Sequence, residues 1–273
     1  MIEITNLNFG YSRKKLLFQN LNLKLSGGHI YGLLGKNGAG KSTLLKNICG
    51  LAFPLSGSCK INGEHSSKRL PSTLQELYLV PEDIYVPAVS IRNYVKHTAK
   101  FYSKFNRVQF EKYLDEFEVP VESKLTSLSY GQQKKVIIAF GIATNTKLLI
   151  MDEPTNGLDI PSKAQFRKIV ASAFDEDRCI IISTHQVRDL DNLIDRLVIV
   201  HENQIVLNKS IAEIEEKLSF KYITNKNDAL YYETGMHGAK GIVVNSDFDE
   251  SKVDIELLFN AVINKPLISE TLN

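Results

Sequence analysis

The chain has 273 residues, 43% of them hydrophobic and 23% charged, which is enough apolar material for a sizeable core and an ordinary share of charge for a globular protein. Its longest apolar run, Val136 to Ala143, is broken only by Gly141 and falls short of the roughly 20 residues a membrane-spanning helix needs. Met1-Ile2-Glu3-Ile4 has neither the basic start nor the apolar core of a signal peptide, so a cytoplasmic location is expected. The net charge of +2 hides a split: residues 211–273 carry 6 Lys+Arg against 11 Asp+Glu, leaving +7 on residues 1–210. A basic main domain suits a polyphosphate ligand, and solvated lysines on helix faces would give the same count. Cys49, Cys59 and Cys179 are odd in number and widely spaced, as reduced, buried thiols would be.

In chain order, residues 2–9 and Leu21–Leu25 alternate as half-buried strands, and Gly27-Gly28 makes the turn into an apolar strand, His29–Leu34. A glycine-rich loop follows, then a helix from Thr43 to Cys49 stopped by Gly50, and a short strand at Ser58–Ile61. Helices are expected at Ile91–Tyr102, Val108–Phe117 and Gly131–Ala143, the second ended by Pro120. The α/β pattern returns with Leu148–Met151 and Cys179–Ser183, continuous apolar runs of the kind found in parallel strands buried on both faces. Helices near 162–174 and 187–194 and a hairpin of Leu197–Val200 with Gln204–Leu207 complete this part.

Gly35-Lys36-Asn37-Gly38-Ala39-Gly40-Lys41-Ser42 fits G-x-x-x-x-G-K-[ST], with a strand before it and a helix after it. The glycines let backbone N–H groups turn inward on a phosphate, and the helix adds its positive dipole end. Lys41 can reach the β- and γ-phosphates, and the Ser42 hydroxyl can ligate Mg²⁺. Such a loop needs a carboxylate at the end of a neighbouring strand. Leu148–Glu153 supplies Asp152 for Mg²⁺ and Glu153 as general base for the attacking water.

Leu128-Ser129-Tyr130-Gly131-Gln132 resembles the Leu-Ser-Gly-Gly-Gln signature of the ABC ATPases, with Tyr130 in place of the first glycine. Ser129 and Gln132 also make a capping box, which many helices carry without any ligand. Further stations resemble the same family in order. Tyr11 is similar to the aromatic that stacks on adenine, although it would serve equally as core. Leu79-Val80-Pro81-Glu82 resembles the loop that usually offers glutamine to Mg²⁺ and water, here with Glu82. Pro154 to Asp159 resembles the loop through which two subunits touch, and His185 the switch histidine that contacts the γ-phosphate.

The resemblance covers about residues 1–210. It implies an α/β fold: a P-loop NTPase, RecA-like core with an N-terminal antiparallel β subdomain and an inserted helical subdomain at about 83–146. Residues 211–273 would form a small C-terminal appendage. It implies an ATPase whose catalytic residues are Lys41, Glu153 and His185. Nucleotide would be bound by Tyr11, the loop from Gly35 to Thr43, Ser129, Gly131, Gln132 and Asp159, and Mg²⁺ by Ser42, Glu82 and Asp152. Two copies, as a homodimer, would enclose two ATP molecules and drive an integral-membrane subunit from the inner face of the membrane, with no nucleic acid involved. A soluble ABC ATPase acting on ribosomes or DNA is the alternative. Val253–Phe259 and the Pro81-Glu82 pair are similar to drug- and polysaccharide-export members, and a generic amphipathic helix would account for the first as well. The apolar, proline-bearing stretch Asp83–Val89 is expected to be an exposed docking segment for the membrane subunit, the alternative being a loop packed onto its own helical subdomain.

Overall fold

The computed structural model describes all residues except 13–14, 191, 237, 247–250, 266 and 273. The chain begins with β1 (Ile2–Phe9), β2 (Phe18–Leu25) and β3 (His29–Leu34), then α1 (Lys41–Ile48), β4 (Ser56–Ile61), β5 (Glu64–His65), the single turn α2 (Pro71–Leu74) and β6 (Leu77–Val80). Three helices follow, α3 (Ile91–Thr98), α4 (Arg107–Glu116) and α5 (Tyr130–Ala143), each with a side-chain N-cap, from Ser90, Asn106 and Ser129 in turn. Such caps satisfy N–H groups that a helix start leaves unpaired. The chain then alternates through β7 (Leu148–Asp152), α6 (Ile160–Ser172), β8 (Cys179–Thr184), β9 (Arg196–His201) and β10 (Gln204–Ser210). It closes with α7 (Ile211–Lys217), β11 (Leu218–Ile223), β12 (Tyr231–Gly235), β13 (Gly238–Val244), α8 (Ile255–Asn264) and α9 (Leu267–Leu272).

The central sheet has the order β10-β9-β3-β8-β7-β6, with every pair parallel except β10 on β9. Its strands alternate between two cores. Leu148, Ile150 and Ile181 face one, with α1 and the antiparallel sheet β2-β1-β4-β5; Leu149, Met151, Ile180 and Ile182 face the other, with the helices. Burial on both faces explains why these strands read as unbroken apolar runs. Between α3, α4 and α5, Phe140 is fully buried and meets Tyr78, Tyr94, Tyr102, Phe105 and Phe110 at centroid separations from 5.0 to 6.2 Å. Such ring contacts hold the helical layer to β6. The last segment builds the antiparallel sheet β11-β13-β12, and Ile214, Leu218, Ile242 and Leu258 from it join the core of the helical face.

Most expected elements are present, and the differences are local. α1 starts at Lys41, two residues before the apolar pattern shows it. The helix expected at Ile91–Tyr102 stops at Thr98 and tightens into a 3₁₀ turn. Of the stretch 187–194, only Val187–Leu190 is helical, as 3₁₀, and residue 191 lies outside the described residues. Asp189 there is held by Thr155 and Lys163, which favours a tight turn over a regular helix. The 197–207 hairpin turns at Glu202 and Asn203, both in the left-handed region (φ 47° and 63°), the twist that two-residue hairpins require. All three cysteines are buried and free. No helix among the described residues is long and apolar enough to cross a membrane.

Candidate functional site

The register of the central sheet assembles the site. Leu34 pairs with Thr184, Asp152 with Ser183, and Val80 with Met151. The glycine loop, His185, Glu153 and Glu82 therefore leave the same edge, at the carboxyl ends of adjacent parallel strands, where open α/β sheets bind their ligands. Tyr11, Lys36, Asn37, Gly38, Gly40, Lys41, Ser42, Thr43, Glu82, Glu153 and His185 border one cleft of about 540 Å³, together with Leu17 and Asn156. That volume is ample for a nucleotide.

Gly35 to Gly40 curl between β3 and α1, and Lys41 and Ser42 open the helix. Gly40 caps the helix at φ 99°, and a Cβ there would come within 2.8 Å of the Phe18 ring, so glycine is demanded twice over. Lys36 also accepts at its carbonyl from Ala39 N at 3.1 Å, which tightens the loop. Lys41 is 7% exposed; its Nζ donates to Gly35 O at 2.8 Å and lies 3.5 Å from Glu153 Oε1. Tyr11 is 75% exposed, stands edge-on to Phe9, and shares a 2.9 Å hydrogen bond with Thr43 Oγ1. Its ring therefore presents a face at the cleft mouth and is not core.

Glu153 is 3% exposed and sits at φ 43°, a conformation that costs energy for a residue with a Cβ and that concentrates at functional sites. Its N–H donates to both Ser183 O and Ser183 Oγ, each at 3.1 Å. Its Oε1 is 2.9 Å from His185 Nδ1. An ionised carboxylate only accepts, so Nδ1 carries the proton. Asp152, also buried, accepts from Ser183 Oγ. Glu82 faces the same cleft and accepts from Asn156 Nδ2 at 3.4 Å.

The remaining expected residues lie elsewhere. Ser129 and Gln132 form a reciprocal capping box on α5, and neither they nor Gly131 line the cleft. A Cβ on Gly131 would come within 3.0 Å of Gly157 O, so the helix start packs tightly on the 154–159 loop. Asp159 caps α6 by accepting from Ser162 N, and that hydrogen bond holds its carboxyl below the usual range. Tyr130 finds room outward: it is 47% exposed, covers Gly157 and donates to Glu82 O at 3.1 Å. In the stretch Asp83–Val89, Tyr85 is 99% exposed, whereas Ile84, Val86 and Val89 pack half-buried against the helical core. The expected patch is thus narrower than the sequence suggested, because the branched residues cover their own subdomain.

One participant was not foreseen. Lys134 is fully buried, and its Nζ donates to Glu153 O, Asn156 O and Glu82 O at 2.8, 3.1 and 3.3 Å. Burial pulls its pKa down, against the opposing pull of Glu82 and Glu153. The available signal was its place one turn before Ile138, on the buried stripe of α5.

Residues 18–156 match the ABC transporter family. The lantibiotic transport ATP-binding protein SrtF of Streptococcus pyogenes is 30% identical over 77% of this chain and 90% of its own length. The ABC transporter ATP-binding protein YtrB of Bacillus subtilis is 25% identical over 84% of this chain and 80% of its own. Among solved structures, an ATP-binding subunit of an ABC transporter shares the fold with a TM-score of 0.71 at 24% identity, covering 79% of this chain and 92% of that one. A dimeric ATP-binding cassette bound to ADP and Pi shares it with a TM-score of 0.67 at 20% identity, covering 77% of this chain and 98% of that one. With a phosphate-loop cleft, a buried carboxylate beside it and these relatives, the chain belongs to the ABC transporter family as its ATP-binding, ATP-hydrolysing subunit.

Proposed function

We propose that two copies of this chain pack head to tail around two ATP molecules, each held by the glycine loop of one copy and the Ser129–Gln132 helix start of the other. The observation that carries this reading is the Glu153 carboxylate, buried within reach of both Lys41 and His185. The loop N–H groups and the Lys41 ammonium neutralise the phosphates, and the exposed face of Tyr11 stacks on the base. Glu153 takes a proton from water as the water oxygen attacks the γ-phosphorus; the bond to the bridging oxygen breaks and ADP leaves. His185 keeps the Glu153 carboxylate in place and faces the γ-phosphate. Asp159 and the rest of the 154–159 loop meet the other copy.

Mg²⁺ fits the donor set. Ser42, Asp152 and Glu82 offer only oxygen, the hard donor this ion takes together with substrate phosphates. Among the described residues no cluster of three or more His, Cys, Asp or Glu is disposed to hold a metal. When bound, it supplies positive charge against the γ-phosphate oxygens.

The chain acts at the inner face of the membrane through an integral-membrane subunit that docks at the exposed ring of Tyr85, and residues 211–273 serve assembly or regulation around the 1–210 ATPase unit rather than chemistry. Pro81-Glu82 and α8 support an export-type transporter. Glu153→Gln tests the core of this reading. Hydrolysis should fall by about 100- to 10,000-fold while ATP binding persists; a variant hydrolysing at the wild-type rate would remove Glu153 from the role of base.

A further inference from the structure

A buried ammonium is tolerated only when its donors are satisfied, and Lys134 meets that demand in an unusual way. Among the described residues no carboxylate lies within salt-bridge reach of it; its three N–H groups are instead spent on three main-chain carbonyls. The carbonyls come from two loops: Glu82 O lies on the loop after β6, and Glu153 O and Asn156 O both lie on the connection between β7 and α6. Tyr130, one turn earlier on the same face of α5, donates to the same Glu82 carbonyl, and its ring lies 6.0 Å from Lys134 Nζ. Two side chains thus fasten the first turns of α5 to the cleft of their own copy.

The fastening ties together things of different origin. On the head-to-tail reading above, the α5 start meets the nucleotide of the other copy, whereas the three carbonyls hold the base and the loops of its own cleft. Glu153 already occupies a costly backbone conformation at φ 43°, so its carboxylate direction depends on what holds the turn.

We infer that Lys134 is a positioning residue for hydrolysis, which couples the seating of α5 on one copy's nucleotide to the aim of Glu153 at the other nucleotide. The inference rests on the head-to-tail arrangement and adds a consequence: the rate depends on ATP cooperatively, because each cleft is aligned by occupancy of its neighbour.

The test uses the full chain with Lys134→Met, which keeps length and removes every donor, and Lys134→Gln, which keeps an amide donor. Folding is checked by thermal melting, and ADP binding by calorimetry reads the phosphate loop alone. For Lys134→Met, ADP affinity should stay within about twofold while kcat falls on the order of 100-fold, the scale of a misplaced reacting group. KM should change little, and the Hill coefficient should fall from above one to one. Lys134→Gln should recover part of kcat, and decides alone if the methionine variant does not fold. Folded variants with kcat and Hill coefficient like wild type would overturn the inference. So would a non-cooperative wild type, or a glutamine variant that loses ADP binding along with activity. Glu153→Gln is run beside them: if it is inactive while both Lys134 variants work normally, this inference alone fails, and if it is active, the assignment of the base fails.

Discussion

Ser129→Ala separates a structural from a catalytic role in one substitution. The hydroxyl accepts from Gln132 N at 3.3 Å and belongs to a capping box at an exposed helix start. Losing such a cap costs about 1 kcal/mol, which in a chain of this size lowers Tm by roughly 2–4 °C. Against a typical stability of about 5–15 kcal/mol, that leaves roughly 99.9% or more of the molecules folded, so stability alone cannot lower the rate measurably. If the hydroxyl also contacts the γ-phosphate held by the other copy, its removal forfeits a charge-assisted hydrogen bond of about 1.5–3 kcal/mol. That is a fall of about 10- to 150-fold in kcat. ADP affinity should not change, because Ser129 does not border the cleft of its own copy. Phosphate release at saturating ATP, thermal melting and ADP calorimetry together decide the matter. A kcat within twofold of wild type would remove Ser129 from the γ-phosphate of the other copy, as would a rate loss matched by a collapse of Tm.

Glu82→Gln removes one of the two carboxylates that border the cleft. ATP with Mg²⁺ should bind a few-fold more tightly at low salt, and the gain should shrink as salt screens the exposed charge; unchanged or weaker affinity at low salt counts against it. Tyr85→Asp changes a side chain that is 99% exposed, so ATP binding and Tm of the isolated chain should hold while co-purification with the membrane subunit is lost. Recovery of the complex at wild-type yield would move the docking surface elsewhere.

The parts legible in the sequence are those where chemistry leaves few choices of residue. A phosphate cradle needs glycines and a lysine at fixed spacing, and the strands that aim it are buried on both faces, so Gly35–Ser42, Leu148–Glu153 and Cys179–His185 stood out. β6 was not legible: it is four residues long and runs straight into Pro81, which reads as loop, yet pairing with β7 and burial by the helices make it a strand. The sheet β11-β13-β12 was hidden for a related reason, since β12 is mostly exposed and carries little apolar alternation. Lys134 escaped because Gln132-Gln133-Lys134-Lys135 reads as a solvated first turn. Only the approach of two loops, one around Glu82 and one spanning Glu153 to Asn156, turns it into a buried cation with three carbonyl partners. Tyr130 illustrates the converse: its departure from the family signature was visible, but the carbonyl that accommodates its hydroxyl belongs to Glu82, 48 residues away.

On the reading above, ATP is enclosed between two copies of the chain. Glu153→Gln should hold that state by stopping hydrolysis, so its mass by light scattering with ATP and Mg²⁺ is the most direct measurement. The mass should be twice the 30.7 kDa of one chain with ATP and return to one on exchange for ADP; a variant that binds ATP and stays a monomer would contradict enclosure between two copies.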